Sequence, residues 1–360
     1  NLAIVSSLDE LCARTHLTKS YSNGNSIHMD LNTRYAVFNP GTSSTFSGGT
    51  FFKLDSPRTD NISHSMTTSA SFQWEKTRDE KYEFRSSLKA NINTSDADPG
   101  RKFSWKVNPE ADLCARLFLV PWLGIEGTAD WTVQYYHTLE GVPLGWSLDM
   151  IVPTDSRRKP EKAQQFYSAV FTSLGSHRLS LGVYDKKMHN LVYFIDASQL
   201  FSSAIAGWRD NIAVGEGTSR GIELLYEKSD ERLNYKIAYT LSKTDRTFAA
   251  VNNGKSFPAK FDRRHVLNAN LSYIRTNDDK KETGISGLFT WQSGHWETVA
   301  AGEYYVSFLF GNRPVNIDYF SGTNNFKMKD YLRLDLGYYI RLKANHHQTF
   351  NFGIYNVLNR

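Results

Sequence analysis

The sequence is poor in cysteine and in long apolar runs, and each shortage excludes a class of protein. Only Cys12 and Cys114 occur among 360 residues, too few for a disulfide framework and without the paired spacing of a zinc site. We expect both thiols to be free, because they fall on predicted strands that are not neighbours. The most apolar stretch, LFLVPWLGI from Leu117, is far shorter than the roughly 18 to 20 residues that a membrane-spanning helix needs.

Charge of one sign is also scarce. The 42 basic and 37 acidic residues give a net charge of +5, and the basic residues are scattered rather than clustered, so no patch would neutralise nucleic-acid phosphates. The sequence contains no nucleophile elbow, no zinc-binding HExxH and no phosphate loop. We therefore expect no enzymatic activity, no nucleic-acid partner, no cofactor and no metal.

Aromatic residues and strict alternation are plentiful instead. An aromatic content of 14% is high for a soluble domain and suits a protein that needs amphipathic rings at a water boundary. In residues 233–241 every odd position is apolar or aromatic, whereas the even positions are Asn234, Lys236, Ala238 and Thr240. A period of two residues predicts a β-strand with one apolar and one polar face.

This alternation recurs almost throughout the chain. The strands it predicts are longer than the five or six residues common in soluble sheets. Turn signals divide the chain into about fourteen of them, near residues 4–18, 25–38, 63–77, 82–95, 103–116, 122–137, 163–174, 178–189, 213–227, 232–245, 263–275, 283–297, 328–342 and 348–358.

The connections between these strands alternate between two lengths. One class is short and polar, such as KTRDE and KSDE. The other is long and irregular, near residues 39–62, 138–162, 190–212, 246–262 and 298–327, with a shorter member at 96–102. Short turns at one end and long loops at the other are typical of an outer-membrane barrel. The predicted fold class is therefore all-β, an antiparallel transmembrane β-barrel, with a soluble β-sandwich as the alternative.

The barrel interpretation also predicts which side of each strand faces lipid. The polar face carries Lys, Arg, Asp or Glu in nearly every strand. The apolar face has aromatic residues near the strand termini, as interfacial girdles do. We expect lipid-facing positions at Leu233, Tyr235, Ile237, Leu332, Leu334, Leu336 and Ile340, and lumen-facing positions at Lys236, Arg333, Asp335 and Arg341.

Several segments carry a resemblance to a known family. They are KPEKAQQFYSAVFTSLGSHRLSLGVYDKKMHNLV, GEGTSRGIELLYEKSDERLNYKIAYTLSKTDRTF with GKSFPAKFDRRHVLNANLSY, and the closing YLRLDLGYYIRLKANHHQTFNFGIYNVLNR. In their order and spacing they resemble the β-barrel of a TonB-dependent outer-membrane receptor of the Bacteroidetes type. The resemblance implies an energised importer, in which loops capture a scarce nutrient and TonB, acting through an N-terminal region with a plug domain, drives its passage.

The family pattern is longer than this chain. Family barrels resemble the 22-stranded class, so we expect residues 1–360 to be one outer-membrane β-barrel domain, with the plug and roughly six strands before it and a closing hairpin after it. Two other functions remain open: a passive channel, and a surface binding or adhesion protein that uses the barrel as an anchor. The nutrient itself, whether siderophore, haem, cobalamin, peptide or glycan, is not predicted.

Candidate ligand-binding residues lie in the long loops. Exposed aromatic rings cost free energy in water unless they pack or bind, which singles out Tyr304, Tyr305, Phe308, Tyr319 and Phe320 in loop 298–327, and Trp146 and Trp208 elsewhere. Loop 298–327 is interpreted as a capture surface, alone or beneath a surface lipoprotein, with static packing as the alternative. Its SGTNN stretch, residues 321–325, predicts a flexible, hinge-like end.

A second candidate is the FDRRH stretch, where a long loop meets a strand. Asp262, Arg263, Arg264 and His265 place two guanidinium groups and an imidazole beside one carboxylate. Two interpretations stand: a site for an anionic ligand, or a salt-bridge network at the mouth of the strands that fixes the loop.

Overall fold

The computed structural model describes residues 2–47, 50–52, 62–78, 81–96, 104–139, 150–195, 212–306, 315–343 and 348–359. This part of the chain is built from β-strands, and its one helical element is a 3-10 turn at Asn252–Gly254. Within these residues, no helix has the length and apolar character to cross a membrane.

Twenty-two strands follow one another along the described residues. They are β1 (Leu2–Ser20), β2 (Asn25–Ser47), β3 (Thr50–Phe52), β4 (Ser63–Arg78), β5 (Tyr82–Ser95), β6 (Ser104–Val120), β7 (Leu123–Gln134), β8 (Tyr136–Leu139), β9 (Met150–Pro153), β10 (Glu161–Leu174), β11 (His177–Phe194), β12 (Ile212–Ser229), β13 (Leu233–Phe248), β14 (Phe257–Pro258), β15 (His265–Asn277), β16 (Lys281–Gln292), β17 (Trp296–Glu297), β18 (Gly302–Val306), β19 (Val315–Tyr319), β20 (Phe326–Lys327), β21 (Tyr331–Leu342) and β22 (Thr349–Ile354).

Fourteen of these strands form one antiparallel sheet in which each long strand pairs with the next long strand along the chain. The order is β1-β2-β4-β5-β6-β7-β10-β11-β12-β13-β15-β16-β21-β22, with β3 added to β2 and β14 added to β13. Three small ladders, β8–β9, β17–β20 and β18–β19, lie off this path. Each of the predicted strands has its counterpart, with ends shifted by a few residues, so the all-β antiparallel prediction is confirmed.

The strand register gathers the apolar positions on one face. Tyr239 lies opposite Leu224 on one neighbouring strand and opposite Leu267 on the other. The even positions form an equally continuous polar face, where Lys236 lies opposite Glu227 and its ammonium is 2.8 Å from that carboxylate. Because side chains alternate strictly along a strand, the sequence period becomes two chemically distinct faces of one sheet.

The hairpin β8–β9 shows that the sheet is curved. β9 contacts β1 and β2, whereas β8 contacts β11. In the sheet, β2 and β1 lie four and five strands from β7 in one direction, and β11 lies two strands from it in the other. One short hairpin reaches both sides only from the concave side. Glu10, Arg34 and Asn91 of the polar face and Tyr136 of the hairpin line the same cavity. The polar face is therefore the concave one.

The two faces invert the pattern of a soluble protein. Large apolar side chains lie exposed on the convex face, among them Leu31, Phe72, Leu88, Val107, Leu181 and Ile222. On the concave face polar side chains are buried, among them Ser65, Ser69, Asn91 and Asn93. Apolar groups outside and polar groups inside are the arrangement of a strand wall that stands in lipid around a polar lumen.

Candidate functional site at the loop end of the sheet

The long loops meet the sheet in an aromatic cluster at the ends of β11, β12 and β13. Tyr193, Phe248 and Phe257 lie with ring centroids 5.5 to 6.0 Å apart, packed with the buried side chains of Leu191, Ala213 and Val251. Because Phe257 belongs to β14, which pairs with Asp245 and Arg246 of β13, this cluster folds the connection after β13 back onto the sheet.

The FDRRH stretch connects that folded loop to the next strands. The Asp262 carboxylate is buried and accepts the backbone N–H of Thr244 at 2.7 Å, while the Arg264 guanidinium lies 3.9 Å from its second oxygen. Arg263 donates to the Gln292 side chain. Burial raises the pKa of Asp262, and the Thr244 N–H and the Arg264 charge only partly oppose it.

His265, the last residue of this stretch, is held between aromatic side chains. Its ring stacks on Trp291 with centroids 5.5 Å apart, and its Nδ1 lies 2.8 Å from the Tyr239 hydroxyl. The contacts of Asp262 and His265 are therefore those expected of a network that fixes the loop, rather than of an anionic-ligand site. The two guanidinium groups are half-buried, and an anion-binding role for them stays a prediction.

The base of loop 298–327 is anchored by hydrogen bonds. The buried Asn324 donates its backbone N–H to Thr298 Oγ1 at 3.0 Å and its side-chain amide to the Pro258 carbonyl at 2.8 Å. Asn325 exchanges two further bonds with the Val299 backbone. The hinge predicted for the SGTNN stretch is therefore wrong: its two asparagines bind the loop to its own start and to the connection after β13.

Above this base, β18 and β19 form an arm that carries exposed tyrosines. The exposed fractions are 58% for Tyr304, 75% for Tyr305 and 49% for Tyr319. Tyr304 and Tyr319 lie edge to face at 5.9 Å, and Phe320 is half-buried below them. The other three aromatic candidates, Phe308, Trp146 and Trp208, lie outside the described residues. The arm thus holds a pair of packed rings and a more exposed ring on a fixed base.

Sequence reasoning missed a second structured region, the hairpin β8–β9, which begins in the last residues of the predicted strand 122–137 and continues in loop 138–162. His137, Leu139 and Val152 of this hairpin are fully buried, and His137 Nδ1 lies 2.9 Å from the Glu161 carboxylate. The turn that follows is held by Asp155. The short apolar run Met150–Pro153 is a sequence signal for it.

Asp155 fixes that turn from both its side chain and its backbone. Its Oδ1 accepts the N–H groups of Arg157 and Arg158 at 2.9 and 2.7 Å, and its carboxylate pairs with the buried Arg158 guanidinium. Lys106 of β6 donates to the Asp155 carbonyl at 2.6 Å. The hairpin is therefore tied to the concave wall by polar contacts.

A polar cavity of about 240 Å³ lies between that hairpin and the concave wall. Its wall carries an ordered network: Lys89 is 3.0 Å from Glu110, the Asn91 amide donates to Glu110 at 2.8 Å, and Ser69 donates to Asn91 at 2.7 Å. Such a surface offers both donors and acceptors to a hydrated solute. Among the described residues, no group of three or more His, Cys, Asp or Glu side chains is placed to hold a metal ion.

Comparison with known proteins identifies a family with this architecture. A family model described as TonB dependent receptor-like, beta-barrel matches residues 153–357. No curated protein matches the sequence significantly. The family model does not single out the Bacteroidetes-type branch, which stays a prediction.

Solved structures share the fold at low identity. The chain is similar to the ferripyoverdine receptor of the outer membrane of Pseudomonas aeruginosa, with 12% identity, a TM-score of 0.66, and coverage of 100% of this chain and 46% of that one. It is also similar to the ferric preacinetobactin receptor of Acinetobacter baumannii, with 14% identity, TM-score 0.62 and coverage of 100% and 51%. It is similar as well to the ferric yersiniabactin uptake receptor of Yersinia pestis, with 10% identity, a TM-score of 0.67, and coverage of 100% of this chain and 50% of that one. The chain spans about half the length of each.

Proposed function

The chain belongs to the TonB-dependent receptor family, and from that premise we propose that its 360 residues form the barrel wall and capture loops of an energised outer-membrane importer. TonB supplies the energy to the whole receptor, and the cargo is a nutrient too scarce or too large for passive pores. The convex face stands in the outer membrane and the concave face lines the lumen.

One observation carries the proposal. The long connections all leave the same end of the sheet. Their described parts are folded into defined networks: the β8–β9 hairpin lies over the concave face, and Asn324 binds loop 298–327 to the connection after β13. A mere membrane anchor has no need of loops tied so closely to the wall of the lumen. Ligand sites are built where loops are positioned by a rigid scaffold.

The first cargo to test is a ferric siderophore. Three structures with this fold are receptors whose names specify ferripyoverdine, ferric preacinetobactin and ferric yersiniabactin. At 10 to 14% identity they support the fold alone, so the cargo class rests on analogy.

The decisive experiment measures uptake of radiolabelled ferric siderophores by cells that carry the full-length receptor. We expect accumulation that stops when the proton gradient is collapsed, while surface binding in the cold persists. A passive channel would continue to admit solute without the gradient. An adhesion protein would bind without accumulation. Either result would overturn the import proposal.

The tyrosine arm is proposed as part of the capture surface. Because the Ala301 N–H donates to the Tyr319 carbonyl at 2.7 Å, the two ends of the arm are adjacent, and residues 302–319 can be replaced by a short Gly-Ser linker without pulling on the barrel. We expect the deletion to insert normally and to weaken uptake under ligand limitation. A Tyr305→Ser variant, which keeps the arm, separates ring contact from arm shape.

A surface lipoprotein is the alternative occupant of this arm. If the arm docks such a lid, the same deletion abolishes co-purification of the lipoprotein from native membranes. Wild-type uptake and unchanged co-purification together would assign the arm to static packing, and the capture role would move to loops 138–162 and 190–212.

A further inference from the structure

Three cations lie on the convex face at the turn end of the wall. On the concave face basic side chains pair with carboxylates, as Lys89 does with Glu110 at 3.0 Å and Arg341 with Glu282 at 3.2 Å. By contrast, Lys19, Lys76 and Arg78 belong to the convex face at the turn end, as their register below shows. No carboxylate of the described residues lies within salt-bridge distance of any of the three.

The strand register brings these cations together. Lys19 lies opposite Ile27, which lies opposite Trp74 on the next strand. Lys76 follows Trp74 on the same face of β4, and Arg78 follows Lys76, each step being about 7 Å along the strand. Lys19 and Lys76 are therefore about 12 Å apart across two strand spacings.

A tight turn fixes this corner. The Thr77 N–H donates to the Gly24 carbonyl at 2.9 Å, so the β1–β2 turn is bound to the end of β4. Gly24 has a φ of +77°, and a Cβ there would lie 2.1 Å from the Thr77 carbonyl oxygen. The cations consequently sit on a defined surface of the sheet rather than on independent loops.

An apolar groove of about 290 Å³ lies beside Lys76. Trp74 and Phe84 form one wall, with ring centroids 5.3 Å apart, and Tyr82 and Leu117 form the other. The floor is Ala115, whose small side chain lies opposite Phe84. Glu83 also borders the groove, but its carboxylate binds Arg116 of the concave face at 2.8 Å, which directs its charge away from the groove.

Aromatic rings lie beside two of the ammonium groups. Lys76 Nζ lies 6.0 Å from the Tyr82 ring centroid, and Lys19 Nζ lies 5.2 Å from that of Tyr21. Lysine side chains that extend along apolar surface toward an interface keep their charge among the lipid headgroups. A charge in such a position costs little free energy, in contrast to one at the bilayer midplane.

We propose that this corner is a binding site for an anionic phospholipid of the periplasmic leaflet. One acyl chain lies in the groove over Ala115, and the headgroup phosphate lies between Lys76, Arg78 and Lys19, which supply N–H donors and positive charge. The groove favours a lipid over free phosphate, because only a lipid has an acyl chain that can occupy the apolar groove. The inference rests on the proposed outer-membrane location, which makes the short-turn end periplasmic.

The test uses the full-length receptor reconstituted in nanodiscs of equal parts phosphatidylglycerol and phosphatidylcholine, with retained lipids counted by native mass spectrometry. We expect retained lipid enriched in phosphatidylglycerol, and a fall in that enrichment of about fivefold for each cation neutralised in the series Lys76→Gln, Arg78→Gln and Lys19→Gln. The control neutralises Lys187, Arg220 and Lys243 at the loop end of the same face, where Arg220 and Lys243 pair with Asp185 and Asp245, and it should leave the enrichment unchanged.

Three results would overturn the site: no enrichment in the wild type, an equal loss in the control triple, or displacement of phosphatidylglycerol by inorganic phosphate. A substitution that blocks the groove, Ala115→Phe, should lower retention without any change in charge. Proton-gradient-dependent uptake is measured separately, in cells that carry the wild-type receptor, so that failure of the import proposal and failure of the lipid site are distinguished.

Discussion

The concave and convex faces of this sheet are made by the same strands, yet they obey opposite rules. On the concave face, Arg116 donates to both Glu83 and Glu126 at 2.7 to 2.8 Å, and Leu139 of the covering hairpin is completely buried. On the convex face, Leu181 and Leu336 stay about half exposed. The difference teaches that a given substitution should be judged by the face it falls on.

The largest expected effect is the difference in stability between replacing a buried leucine and replacing a lipid-facing one. Leu139→Ala opens a cavity beneath the β8–β9 hairpin and should destabilise the hairpin by about 2 to 5 kcal/mol. Leu181→Ala opens no cavity, because lipid fills the space. Hydrogen exchange of the β8–β9 amides is the measurement. Equal protection of these amides in both variants would show that the hairpin does not depend on its buried side chains.

The next effect compares two arginine substitutions on neighbouring strands. Leu336 on the convex face and Leu288 on the concave face are almost equally exposed, at 44% and 43%. Leu336→Arg should destabilise the inserted protein by about 2 to 4 kcal/mol if it stands near the midplane. Leu288→Arg should cost little, because position 288 lies opposite Asp335.

Urea titration of the lipid-inserted protein measures both variants. A larger loss for Leu288→Arg than for Leu336→Arg would reverse the assignment of the faces. A nitroxide at each position, read against a lipid-soluble quencher, checks the same assignment without a change in stability.

A smaller effect compares two arginines that pair with carboxylates. Arg116→Leu leaves Glu83 and Glu126, one on each neighbouring strand, without their shared cation. We expect a loss of about 1 kcal/mol, since Arg116 is 38% exposed and its ion pairs are screened. Arg220→Leu removes one partner of Asp185 at the loop end, where the guanidinium is 68% exposed, and should have no measurable effect. Added salt should reduce the Arg116→Leu loss.

The smallest effect is a difference in pH dependence between two aspartates at the loop end. Burial raises the pKa of Asp262, whereas the Gly294 N–H and then the Trp291 indole lower the pKa of Asp330. The contribution of Asp330 is therefore present above the ordinary pKa of 3.8 and is lost as the pH falls through its lower folded value. Asp262 has the opposite sign: stability declines as the pH rises from 3.8 through its raised folded value.

The unfolding free energy measured against pH reads this difference directly. Amide exchange does not separate the two sites, because the Gly294 and Thr244 N–H groups each bond more strongly to an ionised carboxylate and should both lose protection in acid. Asp330→Asn and Asp262→Asn should each remove the corresponding titration. If the contributions of the two aspartates to the unfolding free energy changed with pH in the same direction, the assigned burial of Asp262 would be contradicted.

Much of the wall could be predicted from sequence because its signal is local. Residues 233–241 alternate in polarity, and that pattern alone predicts β13, its two faces and the side on which Lys236 lies. FDRRH and the tyrosines of loop 298–327 were also recognisable as unusual residues. Their neighbours were not, because Asp262 depends on Thr244 and Asn324 on Pro258, residues that no periodic pattern relates to them.

The sequence by itself determined the strands, their faces and the alternation of short turns with long loops, because a period of two residues and the turn residues act over a few positions of chain. Only the tertiary structure decided that β8–β9 crosses the concave face to meet β2 and β11, that SGTNN is an anchor rather than a hinge, and that Lys19 lies near Lys76. The physical reason is curvature and register. They bring together side chains far apart in sequence, and the contacts are set by the whole sheet rather than by any one segment.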